Sequence, residues 1–221
     1  MPKKLATVRA EMPTSSMMIR NSLLLGVVLA MGLAACGSDK IDSDEEARRA
    51  YLGLDASIEK SLKLGFDGFN SASSANISPQ VTTGMEAGML TITGQVDQGA
   101  SANKGMRLHV GMVDYTEGKI TVMYEDKSVD VHLIYNTSMD ATMQPYLELK
   151  LMGIPTGTFT GMLTGTYTMK GDIEGDATLT LTFSGKLQSN GSGGTVRMPG
   201  STMVTGTAVS GDGTYQVNLT I

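Results

Sequence analysis

From Met89 onward the chain alternates apolar and polar residues in steps of two. Leu90, Ile92 and Val96 stand against Thr91, Thr93 and Gln95, and Met106, Leu108, Val110 and Met112 against Arg107, His109 and Gly111. Ile120, Val122 and Tyr124 follow, then Val129, Val131, Leu133 and Tyr135 around Asp130 and His132. The period continues through Leu147–Leu151, Phe159–Met169, Leu179–Phe183, Val196–Met198, Met203–Ala208 and Tyr215–Ile221. Alternation of this kind predicts strands with one buried and one wet face. Turn-forming residues divide the runs, at Glu117-Gly118, Asp126-Lys127, Asp172–Gly175, Ser189–Gly194 and Gly211-Asp212-Gly213. The connections are too short for crossover helices, so neighbouring strands are predicted to pair antiparallel.

One stretch has a different period. Tyr51, Leu54, Ile58, Leu62, Phe66 and Phe69 recur every three or four residues, and Arg48, Arg49, Asp55, Glu59 and Lys63 fall largely elsewhere. This predicts an amphipathic helix over 44–69, capped by Asp42 or Ser43, with Asp44, Glu45 and Glu46 in its first turn. Gly53, Gly65 and Gly68 lower its intrinsic stability and predict a bend or an early end. Residues 70–88, rich in Ser, Ala, Asn, Thr and Gly, read as a loop, and 36–43 as a polar tether. The fold expected is mainly β: an antiparallel β-sandwich or partial β-barrel meander of about eight to ten strands over 89–221, with one N-terminal α-helix.

The apolar run from Leu23 to Leu33 follows Arg20 and ends in Leu33-Ala34-Ala35-Cys36, with the only cysteine of the chain. It is shorter than the roughly 20 residues of a spanning helix and has the geometry of a secretory signal. The four residues resemble the lipobox of bacterial lipoproteins. The resemblance implies a leader over 17–35, cleavage between Ala35 and Cys36, a diacylglyceryl thioether on the Cys36 sulfur, and acylation of the new amino group. Each acyl methylene buried in a bilayer contributes about 0.8 kcal/mol, so two or three chains hold a protein lastingly where one does not. Gly37, not Asp, follows Cys36, which by resemblance to enterobacterial sorting leans toward the outer membrane. Residues 1–16 carry Glu11 and two prolines and fit a leader poorly, so translation is expected to begin at Met17 or Met18.

Composition narrows the function. The net charge is −5, and removal of residues 1–35, with Lys3, Lys4, Arg9, Arg20 and Glu11, makes it −8. An acidic domain suits neither nucleic acid nor electrostatic docking on anionic lipid, so attachment to a membrane falls to the acyl chains. Polar strand faces bearing Thr, Asp, Glu, Lys and His, and the lack of aromatic girdles, argue against a transmembrane barrel. The 17 methionines read as adaptable core filler.

The chemistry-bearing candidates are few. His109 and His132 sit on polar strand faces, Asp130 shares a face with His132, and no metal-ligand spacing surrounds either. The acidic turns Gly171–Asp176 and Gly211–Gly213 lack the spacing of a calcium-binding loop and suit hairpins. Threonine ladders at 156–160, 164–168, 178–182 and 205–207 fit an exposed strand face. No Gly-x-Ser-x-Gly elbow marks a nucleophile. The expectation is therefore a lipid-anchored, non-enzymatic envelope module, structural or for interaction, without cofactor or metal. The alternative is a carrier of a lipid or other apolar ligand between the helix and a curved sheet.

Overall fold

The computed structural model describes residues 40–124 and 127–221, without the side chains of residues 71 and 122–124. Ala35 and Cys36, with the rest of the predicted leader and the first residues of the predicted tether, lie outside the described residues.

Helix α1 runs from Asp44 to Ser71. Its start is the one the sequence marks. The Ser43 hydroxyl accepts from the Glu46 amide at 3.3 Å, and the Glu46 carboxylate accepts from the Asp42 amide at 2.8 Å. Three acidic residues in the first turn face the positive end of the helix dipole. Ile41 is only 1% exposed, so the packed domain begins there and the predicted tether is shorter than 36–43. Tyr51, Leu54, Ile58 and Leu62 of the predicted stripe are buried, and Phe66 and Phe69 partly so. Burial extends well beyond the stripe, to Ala47, Ala50, Leu52, Ser57, Ser61 and Leu64. Beyond its first turn, where Asp44 and Glu45 are exposed, the helix is fully exposed only at Lys63, Asp67 and Asn70 among the described side chains.

Among the described residues twelve strands follow: β1 Asn76–Thr83, β2 Ala87–Val96, β3 Lys104–Thr116, β4 Ile120–Tyr124, β5 Lys127–Val131, β6 Leu133–Asn136, β7 Tyr146–Met152, β8 Thr158–Gly171, β9 Gly175–Ser189, β10 Thr195–Arg197, β11 Met203–Ser210 and β12 Gly213–Thr220. Ten form one sheet in the order β1-β2-β3-β6-β8-β9-β11-β12, with β7 between β3 and β8 and β10 on β9. Every pairing is antiparallel. The long strands β3 and β8 each pair with β7 along one part and with β6 near one end. Strands β4 and β5 make a separate hairpin.

The shape follows from who touches whom. Eight strand positions at about 4.8 Å separate the sheet edges by about 34 Å if flat. α1 touches both edge strands, β1 and β12, as well as β2 and β3. At 28 residues it is about 42 Å long and could cross a flat sheet from edge to edge, but a flat sheet would bury one side of it only. Leu52 on one flank of its stripe and Ser57 and Leu64 on the other are all buried, so the sheet curls around the helix as a partial barrel. The inward residues of both form one hydrophobic cluster.

Glycine makes the curl and the close helix contact possible. Phe159 lies opposite Gly185 and Phe183 opposite Gly161 across β8 and β9. A Cβ on Gly185 would stand 2.7 Å from the Phe159 ring. Such pairings of a ring with a bare backbone mark places where sheets bend.

Four expectations are corrected. The helix does not stop at its glycines but runs on to Ser71, and Gly53, Gly65 and Gly68 are contact points. A Cβ on Gly65 would come 2.7 Å from Met106 Sδ, one on Gly68 3.0 Å from Ile77 Cβ, and one on Gly53 would collide with the Tyr135 hydroxyl. That hydroxyl donates to the Ala50 carbonyl at 2.8 Å. Second, the 70–88 loop contains strand β1. It is an edge strand with mostly exposed residues, and its register shifts between Ile77 and Gln80, which accommodates Pro79. Third, the run Val129–Tyr135 is two strands divided at His132, with β5 folding back on β4 and β6 entering the main sheet. Fourth, the tether gives up Ile41 to the core, as described.

Replacing Gly53 by Ala is expected to destabilise the domain by about 1–3 kcal/mol, despite the better helix propensity of Ala, because the methyl meets Tyr135. In a double-mutant cycle with Tyr135→Phe the two losses should fall short of additive. Urea melts showing Gly53→Ala to be neutral or stabilising would count against the contact.

Candidate functional site

The candidates read from sequence are dispersed. His109 on β3 is half-buried and edge-on to Tyr146, with ring centres 5.5 Å apart. His132 lies at the break between β5 and β6, its Nε2 3.7 Å from Glu86 Oε1. Two carboxylates of the first acidic turn are engaged structurally. Asp172 accepts from the His132 amide at 2.9 Å and from Arg49 at 3.4 Å, and Asp176 accepts from the Thr168 hydroxyl at 2.7 Å. Asp130 accepts from Thr121 and pairs with Lys119, and both contacts hold its carboxyl below the usual range. Among the described residues, no three His, Cys, Asp or Glu side chains gather as a metal site. The threonine ladders lie on the outer face of β8, β9 and β11, bonded to one another at Thr166–Thr178 (2.8 Å) and Thr182–Thr205 (2.9 Å).

Two buried charge clusters hold the helix in place, and neither has a local signal in the sequence. In the first, Arg197 of β10 reaches α1. Its Nη1 and Nη2 donate to the Asp55 carboxylate at 2.8 and 3.0 Å, and its Nε donates to Glu59 at 2.9 Å. The Arg197 side chain is 10% exposed. Burial alone would push its pKa down; the hydrogen bonds and charge of Asp55, with Tyr51 and Glu59, hold it above its ordinary value. Tyr51 donates to the same Asp55 at 2.7 Å, and burial and the Asp55 charge push the phenol well up. In the second cluster, Glu117 accepts from Lys60 at 2.6 Å, from the Met85 amide at 3.2 Å and from the Tyr115 hydroxyl. Asp55 and Glu59 belong to the polar face read from sequence, but their partner stands 142 and 138 residues away.

One concave feature adjoins these clusters. A groove of about 540 Å³ runs between the last three turns of α1 and the β9–β10 loop. Phe66, Phe69, Ile154 and Val196 give it an apolar wall, and Lys63 and Lys104 stand along it. The loop side is preset, since the Asn190 side chain accepts from the amides of Ser192 (3.0 Å) and Gly194 (2.9 Å). Lys104 is 6% exposed, lies 4.4 Å over the Phe69 ring, and donates to the carbonyls of Asp97 (3.3 Å) and Gly99. Nothing in the sequence singled Lys104 out, because its spacing in β3 is that of an inward position ordinarily apolar. A second hollow, of about 460 Å³, lies beside the Arg197 clamp and is bordered by Met198, Pro199 and Ile221.

No family model, no curated protein and no solved structure matches this chain.

Replacing Arg197 by Met leaves Asp55 and Glu59 without their cation at a part-buried site. A loss of about 1–3 kcal/mol is expected, read by chemical denaturation. A loss below about 1 kcal/mol would show that the clamp does not hold the helix.

The buried tyrosines make a second test. Burial raises the phenol pKa of Tyr51, Tyr115, Tyr135 and Tyr167 in the native state. A raised native value means that the stabilisation is complete below the unfolded tyrosine pKa of about 10 and is lost as pH rises above it. Each phenol then costs about 1.4 kcal/mol per pH unit, so the four together remove about 5 kcal/mol by about pH 11. Cooperative loss of circular dichroism together with a jump in tyrosinate absorbance is expected there. Titration of these phenols with the native spectrum intact would contradict their burial.

Proposed function

We propose that this chain is a lipid-anchored lipoprotein of the bacterial cell envelope, held by acyl chains on Cys36 and serving as a non-enzymatic structural or interaction module. The outer membrane is the favoured address, because Gly37 rather than Asp follows Cys36. The stretch Leu33-Ala34-Ala35-Cys36 supports the anchor, and the acidic balance leaves the acyl chains as the means of attachment.

For the module, the observation that carries the reading is the filled interior. The concave side of the sheet is occupied by α1 itself, with Tyr51, Leu54, Ile58 and Leu62 seated in the common core. A ligand enclosed between helix and sheet would need those side chains to leave. A body with a solid centre, clamped at Arg197 and Glu117, suits presentation of a fixed surface instead. Its outer face over β8, β9 and β11 is a run of threonines, interrupted by the exposed Met162, Met203 and Val209. A surface of this kind meets a protein partner through hydroxyls and adaptable methionines.

Replacing Cys36 by Ala is expected to abolish incorporation of radioactive palmitate and to release the chain from the membrane fraction, while the domain keeps its melting temperature. Unchanged fractionation and labelling would refute the anchor.

A further inference from the structure

The groove beside the end of α1 combines an open apolar wall with a buried ammonium, and the other charges along it are already matched. Glu59 is answered by Arg197, Lys60 by Glu117 and Lys63 by Asp67. Lys104 is different. Its two acceptors are backbone carbonyls, and its third contact is the face of Phe69. Among the described residues no carboxylate lies within ion-pair distance of it. The one carboxylate in electrostatic reach, Asp97, is bonded to Arg107 and to the Gly105 amide, while Lys104 itself is held by carbonyl dipoles and a ring quadrupole, so the buried ammonium keeps its attraction for a further anion.

We propose that the groove is a binding site for a single-chain anionic amphiphile, a long aliphatic carboxylate or its chemical equivalent. The aliphatic part lies on Phe66, Ile154 and Val196, and the head approaches Lys104, with Lys63 at the rim. The volume, about 540 Å³, falls in the range of small-ligand sites. The chemistry discriminates among occupants. A cationic amphiphile of the same length meets Lys63 and Lys104 with like charge. A neutral hydrocarbon uses the apolar wall and leaves Lys104 uncompensated. The attraction is local, because the chain as a whole carries a net charge of −5. The site stands apart from the helix–sheet core, so it needs no displacement of α1 and does not depend on how the chain is anchored.

The test uses the full chain in whichever cell fraction contains it. Palmitate carrying a photoreactive diazirine in its chain is added and photolysed, and attachment sites are mapped by peptide mass spectrometry. Attachments are expected to concentrate in residues 63–70 and 190–196 and around Ile154. The same chain with a trimethylammonium head should attach there about tenfold less, the value of one charge-assisted contact. Lys104→Met, checked for a native circular dichroism spectrum, should lower attachment by about tenfold. Lys63→Glu changes an exposed rim position that folding tolerates and should lower it about threefold. It decides the matter even if Lys104→Met does not fold. The pattern should persist in Cys36→Ala, which separates this site from the anchor. Attachments spread evenly over the surface, or equal for the carboxylate and the ammonium probe, would overturn the proposal.

Discussion

A sheet curled far enough to bring both edges to one helix creates an apolar trough that has to be filled along its whole length. In this protein α1 fills it, and most of what is distinctive in the domain follows from the fit between the two. The helix is buried on most of its circumference, at Ala47, Ala50, Leu52 and Leu64 as well as along its stripe. A helix docked on a flat sheet would show solvent about half of its face. Sheet and helix complete one another: α1 has too many polar and glycine positions to be stable alone, and the sheet without it would expose its concave core.

So close a fit sets steric terms that are met by removing side chains. On the helix Gly53, Gly65 and Gly68 admit Tyr135, Met106 and Ile77. On the sheet, Gly161 and Gly185 lie beneath the rings of Phe183 and Phe159. Each glycine lowers local propensity by about 0.5–1 kcal/mol. Packing of a large side chain in the vacated space offsets that by more, since burial of an aromatic or methionine side chain contributes about 1.5–3 kcal/mol. Tyr135 adds direction to the contact by bonding the Ala50 carbonyl.

Charge fixes the remaining freedom of the helix. Arg197 ties its middle to β10 through Asp55 and Glu59, and Lys60 ties it to Glu117 at the end of β3. Buried pairs of this kind add little net stability over apolar packing but penalise any other seating of α1 heavily, because a shift of one turn would strand a charge. The groove with Lys104 lies just beyond these clamps, against a helix segment they hold still.

What the sequence by itself determined is the local grammar. Period-two alternation placed most of the strands after Met89, and three-and-four spacing with an Ser43 start placed α1, because burial on one face leaves its signature in the order of residues. The anchor proposed at Leu33–Cys36 rests on residue order alone. Edge strand β1, the break at His132, the role of the helix glycines, the Arg197 clamp and the Lys104 groove were decided only by the tertiary structure. An edge strand is half wet and lacks the alternation of a buried one. A glycine that admits a ring and a glycine that makes a turn are the same letter. Arg197 and Asp55 are distant in the chain and meet only because a curled sheet returns β10 to the helix; proximity of that kind is a property of the closed shape and has no local trace.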